Sequence, residues 1–368
     1  MEVIIPIKNG NALETLQALF KRLLTEKIVD ALLLPMRTPK GSVTPALVSQ
    51  AELLDHADPL APVLAVNMAT LAGKVSVRTP RAHVGVVMRS CELRALIELT
   101  KMQQASLEDL LLISVDCAGT YNGLTFLKKE AESDQPLWKQ LFQEVQKNQA
   151  NSGKDLRSAC QICEQPIFEQ AALRVKLLES DFETGLVCEI NEALAEKLNL
   201  DRVATDSPNA TSERLIEQRL QQRDKVFAEM HKRIEEEGGI QNVFAACIRC
   251  HNCMTVCPIC YCKTCVFKSA VFDHEPMQYI EWAQQKGAIR MPADTMLFHL
   301  TRMNHMALSC VGCGMCTEAC PAELPVGIVF RTVGQQLQKT FDYLPGRSVE
   351  EPLPLVTFKA DEWSEVGE

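Results

Sequence analysis

Along the first two hundred residues, apolar positions fall into two alternating patterns. Between Leu13 and Val29, Leu16, Leu19, Phe20 and Leu23 recur at helical spacing with charged residues between them, which predicts an amphipathic helix. Short unbroken apolar runs follow and predict buried strands: Ala31-Leu32-Leu33-Leu34, then Val84 to Met88, then the segment Asp109–Val115. A helix is expected from Glu92 to about Met102, another over Leu137–Lys147, and a further strand over Leu186–Ile190. Strands alternating with helices predict an α/β sheet layer. From Thr211 to Glu237 the pattern becomes one long polar helix with a thin apolar stripe (Leu215, Leu220, Val226, Met230, Ile234), closed by Gly238-Gly239 as a helix C-cap would be. Helical pieces continue beyond it, notably Thr295–Leu308. After Tyr343 the chain turns acidic and proline-rich, with Pro345, Pro352 and Pro354. The expected division is an α/β domain over 1–210, a linking helix over 211–239, a mainly helical domain over 240–345 and an extended docking tail over 346–368.

Composition narrows the function. A length of 368 residues with 46% hydrophobic residues is enough for two cored domains. A net charge of −9 argues against phosphate-backbone binding, so no nucleic-acid partner is expected. No apolar run reaches membrane-spanning length, and Met1–Gly10 lacks the basic and long apolar regions of a signal peptide, which predicts a cytoplasmic protein. The outlier is cysteine: 16 residues, eleven of them between Cys247 and Cys320. In a long chain of this kind, clustered cysteines point to metal rather than to disulfides.

Two runs form an internal repeat: Cys247-x2-Cys250-x2-Cys253-x3-Cys257-Pro258 and Cys310-x2-Cys313-x2-Cys316-x3-Cys320-Pro321. This is the bacterial ferredoxin spacing, in which the fourth cysteine ligates the other cluster. One 4Fe–4S cluster is therefore assigned to Cys247, Cys250, Cys253 and Cys320, and a second to Cys310, Cys313, Cys316 and Cys257. Zinc sites use pairs of Cys-x2-Cys instead of such runs. The 52 residues between Cys257 and Cys310 exceed the short connection of compact ferredoxins. They resemble the helical ferredoxin domain of the heterodisulfide reductase small subunit and of the succinate dehydrogenase iron–sulfur subunit. Met296, His299, Met303, His305 and Met306 lie on the helix before the second run; they read as core packing and hydrogen bonding around a cluster more readily than as haem ligands.

Four more cysteines are scattered. Cys91 and Cys117 each follow a predicted strand, which puts both on one sheet edge, and Cys160-x2-Cys163 follows a polar loop. Spacing alone leaves a third cubane and buried free thiols both open. The motifs Arg89-Ser-Cys91-Glu-Leu-Arg94-Ala-Leu, Ser114-Val-Asp-Cys117-Ala-Gly-Thr and Ala159-Cys160-Gln-Ile-Cys163-Glu resemble, in order, three motifs of the beta subunit of deazaflavin-dependent hydrogenases and formate dehydrogenases. The resemblance covers residues 80–200; many members carry their ferredoxin domain first, whereas here it comes last, and the Cys247–Cys265 run and the Phe298–Pro321 segment resemble a bacterial formate dehydrogenase beta-like branch. It implies that Cys91, Cys117, Cys160 and Cys163 hold a 4Fe–4S cluster beside FAD, where a hydride is exchanged for single electrons. Arg89 and Arg94 are the candidates for a flavin phosphate contact, with a surface or cluster-tuning role as the alternative. No Gly-x-Gly-x-x-Gly or P-loop is present.

Cys188, Cys260, Cys262 and Cys265 remain. Cys188 reads as a core residue. The trio Cys260-x-Cys262-x2-Cys265 reads as an extra metal site, completed by Cys188 or His274, or as sulfurs near the first cubane, or as small apolar residues. Altogether the sequence predicts an iron–sulfur flavoprotein electron-transfer subunit. It would carry three 4Fe–4S clusters and FAD, and would partner a formate dehydrogenase or hydrogenase catalytic subunit or heterodisulfide-reductase-like subunits. A flavin-free conduit is the alternative, and a redox sensor the third class. The terminal catalytic centre is expected on another chain.

Overall fold

The computed structural model describes residues 1–7, 10–78, 82–149, 153–203, 209–289 and 294–356. The chain divides into two compact units, Met1–Arg223 with Gly346–Glu351, and Asp224–Pro345 with Pro352–Glu368. The division falls inside the helix expected to link the domains.

The first unit opens with β1 (Glu2–Pro6), α1 (Ala12–Thr25), β2 (Ala31–Arg37), β3 (Val43–Val48), α2 (Ala69–Arg78), β4 (Val84–Arg89) and α3 (Ser90–Lys101). It continues with β5 (Leu110–Val115), α4 (Gly123–Glu132), α5 (Leu137–Gln146), α6 (Ser158–Gln161), β6 (Leu173–Val175), β7 (Gly185–Ile190), α7 (Glu192–Lys197) and the start of α8 (Ala210–Glu236). The seven strands form one mixed sheet in the order β1-β7-β6-β5-β4-β2-β3. Strands β2, β4, β5 and β6 run parallel, and antiparallel neighbours flank them on both sides. Interior strand β4 is buried at every position, as expected for a parallel strand covered on both faces. The predicted apolar runs thus become β2, β4, β5 and β7.

The α1 helix starts where Asn11 accepts hydrogen bonds from Leu13 and Glu14 amides, and it ends at Thr25, earlier than the apolar pattern suggests. Lys27, in left-handed backbone (φ 54°), turns the chain into β2. Residues Leu16, Phe20 and Leu23 of α1 pack with Leu32, Leu34 and Ile113 of the sheet in one apolar core. Strands β1, β3 and β6 escaped prediction. The apolar stretch of β1 is short, β3 carries a proline that suits an edge, and β6 has only three residues.

The second unit holds most of α8, then α9 (Ile240–Val243), α10 (Asn252–Thr255), α11 (Pro276–Lys286), α12 (Thr295–Met306), α13 (Met315–Glu318) and α14 (Val326–Thr340). Its core gathers Phe244, Phe298, Val311, Val329 and Phe330, each at most 5% exposed. Among the described residues no helix is long and apolar enough to cross a membrane. Residues 346–351 of the expected docking tail pack within the first unit; its residues 357–368 lie outside the described residues.

Candidate iron–sulfur sites

In the first unit, β4 and β5 pair in parallel with Arg89 opposite Val115. Cys91 and Cys117 therefore each stand two residues beyond the same strand edge. The buried carboxylate of Glu92 fixes the turn that carries Cys91, accepting from the Arg89 amide at 3.1 Å and the Met68 amide at 3.0 Å. Burial pushes that carboxyl upward and Arg89 opposes the shift. Beside Cys117, Asp116 is fully enclosed and bonds the Arg174 guanidinium at 2.9 and 3.3 Å. Burial raises the Asp116 pKa to about 6 against the pull of Arg174.

The loop carrying Cys160 and Cys163 closes over this edge. The Cys117 amide donates to the Pro166 carbonyl at 3.0 Å, and the Arg157 amide to the Thr120 carbonyl at 2.9 Å. Burial lifts the Cys117 thiol to about 11, and the charges felt there are those of Arg89, Cys160, Arg219 and Cys163. At Cys160 burial is outweighed: Arg157 first, then Thr120 and Arg219, hold the thiol below its ordinary range. The Cys160 Sγ lies 3.3 Å from Thr120 Oγ1 and accepts from Arg157 at 3.6 Å. Thus three buried arginines, Arg89, Arg157 and Arg219, face Cys117, Cys160 and Cys163, while Cys91 reaches the same edge by strand register. This donor set suits an anionic thiolate-ligated cluster.

Arg157 and Arg219 were missed by sequence reading. Arg219 had a signal: it follows Leu215 by four residues, so it lies on the apolar stripe of α8. Arg89 also donates to the carbonyls of Pro59 and Ala61, and Gly346 packs against Arg94, so both guanidinium-bearing side chains named for a flavin are buried. An open cavity of about 350 Å³ adjoins the cysteines, lined in part by Ala118, Lys154, Gln161, Gln218, Arg219 and Gln222.

In the second unit the two cysteine runs interleave. Burial raises Cys316 well above its ordinary value, and the charges that add to this are Cys257 first, then Cys313 and Cys310. Burial likewise raises Cys247 and Cys253, and Cys320 and Cys250 add at both. Each fourth cysteine therefore stands among the first three of the other run. The loops show how. Arg249 (φ 55°) and His251 (φ 59°) flank Cys250, and Gly312 (φ 73°) and Gly314 (φ 72°) flank Cys313, all in left-handed backbone. In the second run glycine adopts this freely. In the first, the Arg249 side chain is latched to Asp294 at 2.5 Å, Tyr279 Oη at 2.7 Å and the Phe272 carbonyl at 3.2 Å.

Side chains of α12 tie this region together. Arg302, 3% exposed, donates to Cys253 Sγ and to its carbonyl, each at 3.1 Å, and its charge also reaches Cys257 and Cys316. His299 Nε2 lies 3.3 Å from Cys247 Sγ while its ring stacks on Phe244. Burial, aided by Arg302 and His251, lowers His299 to about 4, so the ring is neutral at pH 7. The hydrogen-bonding role expected for His299 fits this contact. Arg302 was not singled out, although it follows Phe298 by four residues on the same apolar face. Among the described residues, no group of three or more His, Cys, Asp or Glu is arranged to hold a single metal ion, and Cys260, Cys262 and Cys265 form no such group.

Comparison with known proteins finds one domain match and near full-length relatives. A 4Fe–4S dicluster domain matches residues 243–324. The F420-dependent formate dehydrogenase subunit beta of Methanocaldococcus jannaschii is 27% identical over 92% of both chains. The F420-dependent formate dehydrogenase 1 subunit beta of Methanococcus maripaludis is 27% identical over 94% of both. A solved F420-reducing [NiFe] hydrogenase complex from Methanosarcina barkeri aligns with 62% of this chain and 92% of its own at a TM-score of 0.45 and 11% identity, too loose a likeness to carry an argument. The near full-length relatives and the dicluster domain support the resemblance to the beta-subunit family that the three cysteine motifs carry.

Proposed function

We propose that the chain is the electron-relay subunit of a formate dehydrogenase or hydrogenase complex, holding three 4Fe–4S clusters and one FAD. The observation that carries this reading is the placement of the N-terminal thiols. Cys91 and Cys117 share one strand edge, and Cys160 and Cys163 close over it among Arg89, Arg157 and Arg219. Such enclosure has no evident purpose in a purely structural loop. When bound, FAD supplies exchange between a two-electron hydride and single electrons, and the clusters supply single-electron conduction.

The protein's own part is to hold and tune. Cys91, Cys117, Cys160 and Cys163 are the proposed ligands in the first unit, and the three arginines counter the thiolate charge. In the second unit Cys247, Cys250, Cys253 and Cys320 hold one cluster, and Cys310, Cys313, Cys316 and Cys257 the other. Arg302 is the cation shared between them. The cavity beside Ala118 presents Lys154 and Arg219 to an anionic flavin, and Arg89 acts on Cys117 from the same strand edge. The family likeness of the chain supports a catalytic partner on another subunit.

The test is iron, acid-labile sulfide and acid-released flavin per chain, on protein purified without oxygen. About twelve iron atoms, from three four-iron clusters, and one FAD are expected. Twelve iron without flavin would make the chain a simple conduit; eight iron would remove the N-terminal cluster.

A further inference from the structure

The trio Cys260, Cys262 and Cys265 is used by none of the three cluster assignments. Its candidate fourth ligands have surroundings of their own. Cys188 is 0% exposed in the core of the first unit, on β7. The His274 ring packs edge-on against Tyr279 and Trp282. Cys260 lies within electrostatic reach of the other two: burial raises its thiol, and the charges that bear on it are Cys257 first, then Arg302, Cys262 and Cys265. Cys262 is exposed, whereas Cys260 and Cys265 are half-buried, with Cys265 Sγ 3.5 Å from Met254 Sδ beside Cys253. Cys262-Lys263-Thr264-Cys265 is itself a Cys-x2-Cys pair, with an exposed lysine next to its exposed thiol. Cys260 lies between that pair and Cys257.

We infer that Cys262 and Cys265 form a dithiol–disulfide couple that exchanges electrons with the clusters of the second unit and meets a disulfide-bearing partner through Cys262. The inference rests on the cluster reading above. In the reducing direction the Cys262–Cys265 S–S bond breaks. Two electrons arrive singly from reduced 4Fe–4S clusters, and two protons come from solvent to give two thiols. The Cys262 thiolate then attacks the partner's disulfide, and Cys265 displaces the mixed disulfide. This restores the intramolecular S–S bond and releases two partner thiols, so atoms and electrons balance. The arrangement stores a two-electron equivalent beside one-electron carriers.

Trypsin offers a direct readout, because cleavage after Lys263 puts Cys262 and Cys265 on different peptides. The whole anaerobic protein is poised oxidised or dithionite-reduced, its free thiols are alkylated before the clusters are released, and the digest is read by mass spectrometry. Zinc, iron and sulfide are counted on the same sample. In the oxidised sample the peptides Cys250–Lys263 and Thr264–Lys268 are expected joined by a disulfide; after reduction both thiols are expected alkylated. Cys262→Ser and Cys265→Ser should each abolish the linked species with iron and sulfide unchanged, while Cys260→Ser should keep it. Alkylation of both thiols at every potential, or about one zinc per chain lost in Cys262→Ser, would overturn the couple and leave the clusters standing. Absence of iron and sulfide would remove the cluster reading and the couple with it.

Discussion

The two units solve the same problem, holding thiolates close together, by opposite means. In the first, the cysteines are mounted on regular structure. Strand edges and helix starts set their positions, and enclosed ion pairs such as Asp116–Arg174 fix the turns. In the second they sit on four-residue helices and left-handed turns over a small aromatic core. One scaffold exists before its ligands are filled. The other consists largely of the loops around them. The difference is also electrostatic: three buried arginines face one group of thiols in the first unit, whereas Arg302 serves two groups in the second.

The largest expected effect breaks the comparison at its base. Stripping iron with chelator under oxidation should leave the α/β unit folded and open the second unit, because metal-binding energy is folding energy where no scaffold precedes it. Hydrogen exchange should rise across 247–320 and stay low in β4 and β5; equal protection of both would remove the distinction. Next, Asp116→Ala takes its nearest carboxylate from the enclosed Arg174, leaving Glu189 at 3.6 Å, and should cost about 3 kcal/mol of first-unit stability. Denaturant melts would show it, and a loss under 1 kcal/mol would mean that the ion pair does not hold the Cys117 turn. Replacing Arg302 with Gln removes a positive charge from between two anionic groups. At an effective dielectric constant of about 20 this should lower the potentials of the second-unit clusters by on the order of 100 mV. Arg302→Lys should restore most of that shift in an EPR-monitored titration, while signals of the N-terminal cluster stay fixed. The smallest effect sharpens the ligand set. Cys188, whose thiol burial drives up to about 12, is an inert core residue. Cys188→Ala should cost about 1 kcal/mol and no iron, whereas Cys117→Ala should remove four iron atoms.

Legibility in the sequence follows the same contrast. Cluster spacing is local, so both C-terminal runs were readable from residue order alone, and the apolar runs of β2, β4 and β5 announced an α/β sheet layer. What could not be read was whatever depends on distant partners. Arg157, Arg219 and Arg302 look like ordinary charged residues until folding places them against sulfur. Arg249 holds a backbone shape that the second run gives to Gly312, and nothing local marks the latch to Asp294. The edge strand β3 and three-residue β6 lack patterns of their own and exist because their neighbours offer hydrogen bonds.

Gly346 has a bearing on how the protein is made. Its amide donates to Glu98 Oε1 at 2.8 Å across 248 positions of sequence, and its left-handed backbone (φ 74°) lies flat on Arg94 where a side chain would collide. Residues 346–351 are translated after the whole cysteine-rich insert, so the helix that begins at the Cys91 turn waits for its last neighbour until the ribosome has passed the ferredoxin segment. A nascent chain halted at Pro345 would present a nearly finished α/β unit with the Glu98 carboxylate uncovered. The order of synthesis thus delays completion of the first domain until the second has been written.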